Sequence, residues 1–398
     1  MQSYLTLTIP SASGSDCGLF TAMRQHFRAL LRVALVLACP LAFAQGKPLV
    51  FGQLAPFTNL PVPEAAEINQ GVNAYLDQIN KTGLLGRQLS LFKLDDEYNA
   101  DKFVAQFDKA MEQKPLALIT PIGANALKRM LDEKLLDKLD VVVMNAIPGA
   151  ESLRTPGHPR FFHLRAGDKQ QIEKIVSNAK AVGIVRLSVL NSDQEVGLSG
   201  ARVAQEEANR VGGLQFKSTQ TQESTEAIAA ASAAVAVQKP QGVLVVGAPR
   251  FAAEGVAALR KAGIVQPIFV LSYVQPGLLV KLAGLEGARG VGIAQTYPNP
   301  NKVAVPVLRE FRAAMKASFP TMDQYTPNQL EGYLCARTLA EAIKRIKQKE
   351  ITPNTLARSL KTMGPIDFGG YRVDFTNSNV GSQYVDIAVV GSDGKLKY

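Results

Sequence analysis

Residues 115–154, PLALITPIGANALKRMLDEKLLDKLDVVVMNAIPGAESLR, decide how the chain folds. Leu116–Thr120 is a short apolar run that stops at Pro121 and Gly123, the mark of a buried strand ending in a turn. A helix is expected from near Asn125, because Leu127, Met130 and Leu131 share one helical face. Val141–Met144 repeats the strand pattern and is broken by Pro148-Gly149. Two neighbouring parallel strands then release the chain at one sheet edge, one of them straight into a helix N-terminus. In open α/β sheets ligands sit at that carboxyl edge, and free helix N–H groups there attract anions. The same residues also fit an ordinary pair of βα turns, so the rest of the chain has to choose.

Upstream, Pro48–Leu54 reads as a strand, followed by a Pro-rich loop from Ala55 to Pro63 that carries Phe57. Ile68, Val72, Tyr75 and Ile79 recur at helical spacing, Gln88–Leu94 is a strand closed by Asp95-Asp96, and Phe103, Phe107 and Met111 mark a second helix. The result is a βαβαβαβ series and a right-handed parallel sheet. Downstream of Phe161 a second series alternates helices and strands as far as Leu271. Residues 296–362 turn mostly helical. The final Asp367–Phe375 and Gln383–Val390 alternate like a hairpin, with Gly391–Gly394 as a closing turn.

At 398 residues the chain is long enough for two domains with full cores. Its formal charge of +10 is spread without clusters of Lys/Arg among aromatics, so no nucleic-acid partner is expected. Arg24, Arg28 and Arg32 precede the apolar stretch Val33–Phe43, and Ala42-Phe43-Ala44 offers a small-residue cleavage site. That order is a secretory signal, with cleavage expected between Ala44 and Gln45 and Met23 as the expected start of translation. A lipid anchor on Cys39 is the competing reading of the same segment. Only Cys335 lies beyond the signal, so no internal disulfide is available. Ala262–Val280 is uncharged, but Gly263, Pro267, Pro276 and Gly277 cut it into pieces too short to span a membrane.

Reaction chemistry is missing. No G-x-S-x-G, P-loop, H-E-x-x-H or C-x-x-C occurs, and Gly290-Val-Gly-Ile-Ala-Gln295 lacks the third glycine of a dinucleotide fingerprint. Asp95-Asp96 is expected to cap a helix rather than to act as a paired acid. Neither an enzyme nor a cofactor or metal is expected.

The order and spacing of several segments resemble the leucine/isoleucine/valine-type periplasmic solute-binding proteins of ABC importers. They are LVFGQLAPFTN, the run Gly71…Asn80…Gly83…Gly86-Arg87…Asp95-Asp96, Pro148–Arg154, Ser272-Tyr-Val, Leu330-Glu-Gly-Tyr333 and DFGGYRVDF…GSQYVDIAVVGSDGK. The resemblance implies an α/β fold of two doubly wound parallel-sheet lobes joined by a three-segment hinge, with ligand between them. It puts lobe one at about 46–164 plus 296–364 and lobe two at about 165–295 plus 365–398, after a leader of residues 1–44. It further implies a monomer in the periplasm that passes a small carboxylated solute, an amino acid or a relative, to an inner-membrane ABC permease. A ligand-sensing module on the same fold is the alternative.

By that resemblance the loops after the third and fourth strands hold the carboxylate. The expected ligand residues are Phe57, Gly123, Ala124, Asn125, Ala146, Ile147 and Gly149 from lobe one, and Gln194, Val196, Ser272 and Tyr273 from lobe two. Three departures from the family pattern stand at the site. Gly123-Ala124-Asn125 lacks the usual hydroxyl residue, Ala146–Gly149 lacks a Thr, and Val196 stands where a Tyr is common before Gly197.

Overall fold

The computed structural model describes residues 46–58 and 63–398. The expected signal and its expected Ala44–Gln45 junction, like Cys39, lie outside the described residues.

The first lobe is built by β1 (Gly46–Ala55), α1 (Pro63–Ile79), β2 (Arg87–Asp95), α2 (Ala100–Glu112), β3 (Ala117–Ile119), α3 (Ala124–Asp132), the single turn α4 (Leu135–Lys138), β4 (Val142–Met144) and β5 (Phe161–Phe162). The strand order is β2-β1-β3-β4-β5, and β1–β3, β3–β4 and β4–β5 are parallel. β3 and β4 are apolar throughout because both faces of this sheet are covered. Their side chains still alternate. Ala117, Ile119, Val142 and Met144 enter one core, whereas Leu118 and Val143 enter the other with Phe103, Phe107, Leu127 and Met130.

The second lobe follows with α5 (Asp168–Ala181), β6 (Arg186–Ser192), α6 (Glu195–Val211), β7 (Gln215–Thr221), α7 (Thr225–Val237), β8 (Gly242–Val246), α8 (Pro249–Lys261), β9 (Ile268–Val270), α9 (Pro276–Ala288) and β10 (Gly292–Gln295). The chain then returns to the first lobe as α10 (Pro306–Ser318), α11 (Pro327–Lys344) and α12 (Pro353–Thr362). It finishes with β11 (Ile366–Asp367), β12 (Arg372–Val373), β13 (Asp386–Val390) and β14 (Leu396–Lys397). The second sheet runs β14-β13-β10-β9-β8-β6-β7. Its pairs from β7 to β10 are parallel, and β13 and β14 are added antiparallel.

The sequence expectation of one terminal hairpin needs correction. Residues 367–375 and 383–390 do not pair with each other. β11 pairs β12, and β13 pairs both β10 and β14, the latter across the Gly391–Gly394 turn. Among the described residues no helix is long and apolar enough to cross a membrane, and Ala262–Val280 divides into a turn, β9 and the first turns of α9.

Three segments cross between the lobes: after β5, after β10, and between β12 and β13. They are tied together. His163 N–H donates to Asn379 O at 2.7 Å and Gly381 N–H to His163 O at 2.8 Å. The Tyr371 hydroxyl reaches Leu164 O at 3.3 Å, and the Tyr297 and Tyr371 rings stack at 5.3 Å.

Candidate functional site

Both sheets present their carboxyl edges toward the seam between the lobes. On the first, the loops after β3 and β4 are laced together. Gly123 N–H donates to Ile147 O at 2.8 Å and Ile147 N–H to Pro121 O at 3.2 Å, extending the β3–β4 pairing past the strands. The expected anion contact through Gly123 N–H is therefore already committed. Gly123 is the residue before α3, and no side chain caps the helix there. Its first intrahelical bond is Leu127 N–H to Gly123 O. The N–H groups of Ala124 and Asn125 remain at the open end of the dipole. Ala124 is half-buried and Asn125 exposed.

The other first-lobe residues divide. Ala146 and Ile147 are buried beneath the loop. Gly149 turns away from the edge toward lobe two, where Asp168 N–H donates to Gly149 O at 2.8 Å. A Cβ at position 149 would lie 2.5 Å from Asp168 Oδ1, so this contact between the lobes requires glycine. Phe57 is half-buried, its N–H bonded to Asp95 Oδ1 at 2.9 Å and its ring 5.2 Å from Lys93 Nζ. Asp95 and Asp96 do not cap α2. Asp95 binds the Phe57–Thr58 loop and Glu97 N–H, Asp96 binds Tyr98 N–H, and Asn99 is the cap.

On the second sheet Gln194 precedes α6, exposed, and Val196 is half-buried in the first turn. Ser272 N–H donates to Gln171 Oε1 at 2.9 Å, and Tyr273 is 2% exposed with no partner for its hydroxyl. Burial and the nearby Asp168 push that hydroxyl well above its ordinary range.

Several residues at the seam were not expected from the sequence. Glu64, in the first turn of α1, is buried. Burial and the charge of Glu67 push its pKa up to about 7, against hydrogen bonds from its own backbone and the Gln275 side chain. Tyr98 is 44% exposed and 3.6 Å from where a Gly123 Cβ would stand. Its hydroxyl is raised by burial and by Glu64 and Glu223, carboxylates from opposite lobes.

Deeper in, Asn145 at the end of β4 receives Leu164 N–H and Arg165 N–H, both at 3.1 Å, and donates to Glu331 of α11. Arg165 Nη2 donates to Ser272 Oγ at 3.0 Å and Thr296 Oγ1 at 3.2 Å, and its Nε lies 3.6 Å from Glu331 Oε1. Burial lifts the Asp168 carboxyl to about 6 despite Arg154 and Arg165, and lowers Arg154 to about 10. His163, desolvated and beside Arg154, is held well below its ordinary value and stays neutral.

The arrangement can clasp a small molecule between two sheet edges, with helix N–H groups on one side and side chains on the other. Among the described residues no group of His, Cys, Asp and Glu could hold a metal ion. The periplasmic binding protein family model matches residues 48–395. The chain belongs to that family.

This periplasmic binding protein is 52% identical to an extracellular ligand-binding receptor from Verminephrobacter eiseniae, over 88% of this chain and 100% of that one, with a TM-score of 0.83. It is 27% identical to a substrate-binding periplasmic protein from Ralstonia solanacearum, over 87% of this chain and 99% of that one, with a TM-score of 0.75. A leucine binding protein from Thermotoga maritima shares the fold at 17% identity, over 88% of this chain and 97% of that one, with a TM-score of 0.74. No curated protein sequence matches. The α/β fold with two parallel sheets, expected by resemblance, is thus shared with these proteins.

Proposed function

We propose that the protein is the substrate-binding component of an ABC importer, capturing a small carboxylated solute in the periplasm and handing it to an inner-membrane permease. The observation that carries this reading is the uncapped start of α3, where Ala124 and Asn125 N–H groups stand at the carboxyl edge of lobe one. A carboxylate there gains charge-assisted hydrogen bonds. In this reading the side chains of lobe two, Gln194, Val196, Ser272 and Tyr273, read the rest of the molecule. Proteins that share the fold include a leucine binding protein and a fatty acid ABC transporter substrate-binding protein, and both of those named ligands are carboxylic acids.

A thermal-shift screen of the mature protein with amino acids, amides and aromatic acids tests the reading. A ligand at 100 times its Kd adds about 2.7 kcal/mol of stability. The binder is expected to shrink the radius of gyration in small-angle scattering, because only a closed form touches both lobes. It should also be taken up more slowly by cells lacking the protein. A panel in which no carboxylate raises the melting temperature would refute the solute class.

A further inference from the structure

The amino edge of the second sheet, at the far end of the strands from the seam, is where α5 to α9 hand the chain back to β6–β10. Among the described residues the three most exposed large apolar side chains all stand there: Val265 at 84%, Val237 at 82% and Val182 at 65%. Val185, directly before β6, is exposed with them. The loops that carry these valines are neighbours. Gln215 N–H donates to Val185 O at 2.7 Å, Val185 N–H to Gln241 Oε1 at 2.8 Å, and Val243 N–H to Pro267 O at 3.0 Å. These bonds join the edge from β7 through β6 and β8 to β9, and β6 and β9 lie only about 10 Å apart. Exposed valines scattered singly are ordinary, whereas a cluster at one edge marks a contact surface.

The same edge is basic. None of the five loops between α5 and β10 that lead from a helix into a strand holds an Asp or Glu. In the last turns of those helices the only carboxylate is Glu286, which Arg289 pairs at 3.4 Å. Lys180, Arg186, Lys239 and Lys261 stand in or beside the loops, and Arg186 Nε donates to Lys239 O at 3.0 Å. Valines ringed by cations do not suit a second copy of the chain, because a two-fold contact through this edge sets cations against cations. A bilayer with anionic headgroups meets both features, its phosphates taking the lysines and its glycerol region the valines. We propose that the amino edge of lobe two binds an anionic phospholipid surface, with Val182, Val185, Val237 and Val265 reaching below the headgroups and Lys180, Lys239 and Lys261 on their phosphates. The contact leaves the seam uncovered at the other end of the strands, and it does not rest on the solute reading.

Co-sedimentation of the mature protein with two kinds of vesicle tests it: phosphatidylcholine alone, and equal parts phosphatidylcholine and phosphatidylglycerol. Binding to the mixed vesicles should be about twentyfold tighter or more, and should weaken as salt is raised. Lys239→Gln with Lys261→Gln should weaken it about tenfold. Lys347→Gln with Lys349→Gln removes the same charge from exposed positions after α11 in lobe one, and should change it by less than about twofold. Val237→Ser with Val265→Ser keeps every charge and should weaken binding about fivefold while the melting temperature holds, since both side chains are exposed. The proposal is overturned if the mixed vesicles are not bound, if both vesicles are bound alike, or if the Lys347/Lys349 variant loses as much as the Lys239/Lys261 variant. A folded valine variant that binds like the parent overturns it too. So does a dimer in sedimentation velocity that the valine variant abolishes, which would make a second copy the occupant of this edge.

Discussion

Replacing Gly332 by alanine should unfold the first lobe's main helix contact. Gly332 lies in the middle of α11, which is buried on nearly every side. A Cβ there would sit 2.1 Å from Ile68 O and 2.9 Å from Ile68 C of α1, and Gly71 meets Gln329 O at 1.8 Å in the reciprocal position. The obstacles are helix backbone, which cannot rotate aside, so the helices must separate by about 1 Å to restore ordinary contact. A gap of that size forfeits roughly a quarter to a half of each dispersion contact along the seam, where Ile68, Val72, Tyr75 and Tyr333 are packed. Overpacking usually costs about 1–3 kcal/mol; a clash against backbone at a central seam belongs at or above that limit, about 3–4 kcal/mol. Intrinsic helix propensity pulls the other way, favouring alanine over glycine by about 1 kcal/mol. The sign of the result therefore separates packing from propensity. Gly277→Ala is the control, since its Cβ meets nothing within 4 Å and it should be neutral or stabilising by up to about 1 kcal/mol. Urea unfolding followed by circular dichroism reads both. A Gly332→Ala protein within about 1 kcal/mol of the parent would show that the close helix approach is not what holds this face.

Two further outcomes follow from the seam. Glu64 and Asp168 have carboxyl groups raised to about 7 and about 6 from ordinary values of 4.5 and 3.8. The folded protein therefore binds more protons than the unfolded chain between about pH 4 and 7, and their contribution, complete below pH 4, is lost as pH rises through 6–7. Each is worth up to about 3 kcal/mol, so Glu64→Gln with Asp168→Asn should flatten the decline in urea-measured stability between about pH 5 and 7.5; an unaltered slope would refute it. Asn145→Ala removes the acceptor of two buried N–H groups and a donor to Glu331, costing about 3–5 kcal/mol. Because Asn145 has a φ of 69°, Asn145→Gly is the check: recovery of most of the loss in thermal melts would make backbone strain, not hydrogen bonding, the cause.

The fold was legible where hydrophobic pattern and turn chemistry agree. β3 and β4 are short uncharged runs, each stopped by Pro and Gly, and the same signs recur along the second lobe. The end of the chain was not legible in the same way. Alternation in 383–390 states that one face of a strand is covered, but it does not name the partner. That partner is β10, about ninety residues earlier, because the third crossing returns the chain to the second sheet. Likewise Asp95-Asp96 carried a true signal of a strand end. Which backbone N–H groups those carboxylates reach depended on how the Ala55–Thr58 loop folds back.

The site was legible to the extent that it is local. The start of α3 could be placed from Pro121, Gly123 and the apolar spacing behind them, whereas the lacing of Gly123 to Ile147 required both loops in space. Asn145 and Arg165 escaped notice, and Glu331 stood only as part of Leu330-Glu-Gly-Tyr333 with no role attached, because each is unremarkable among its sequence neighbours and the three converge from β4, the first crossing and α11. Glu331 did leave a trace, a carboxylate within a helix that is otherwise largely apolar on its buried faces. Such a group is tolerated in a core only when another element brings it partners. Here Arg165 and Asn145 do so, and Arg165 in turn needs Ser272 and Thr296 from the far side of the seam. A buried ion pair adds little stability over apolar residues of the same volume. Its geometric demand is strict, however, since hydrogen bonds weaken steeply with misalignment. Side chains drawn from both lobes and two crossings meet their partners in this relative placement of the sheets. The polar core of the hinge thus ties the two carboxyl edges in the placement seen here, and Glu64 with Gln275 adds a second tie between the lobes beyond the hinge.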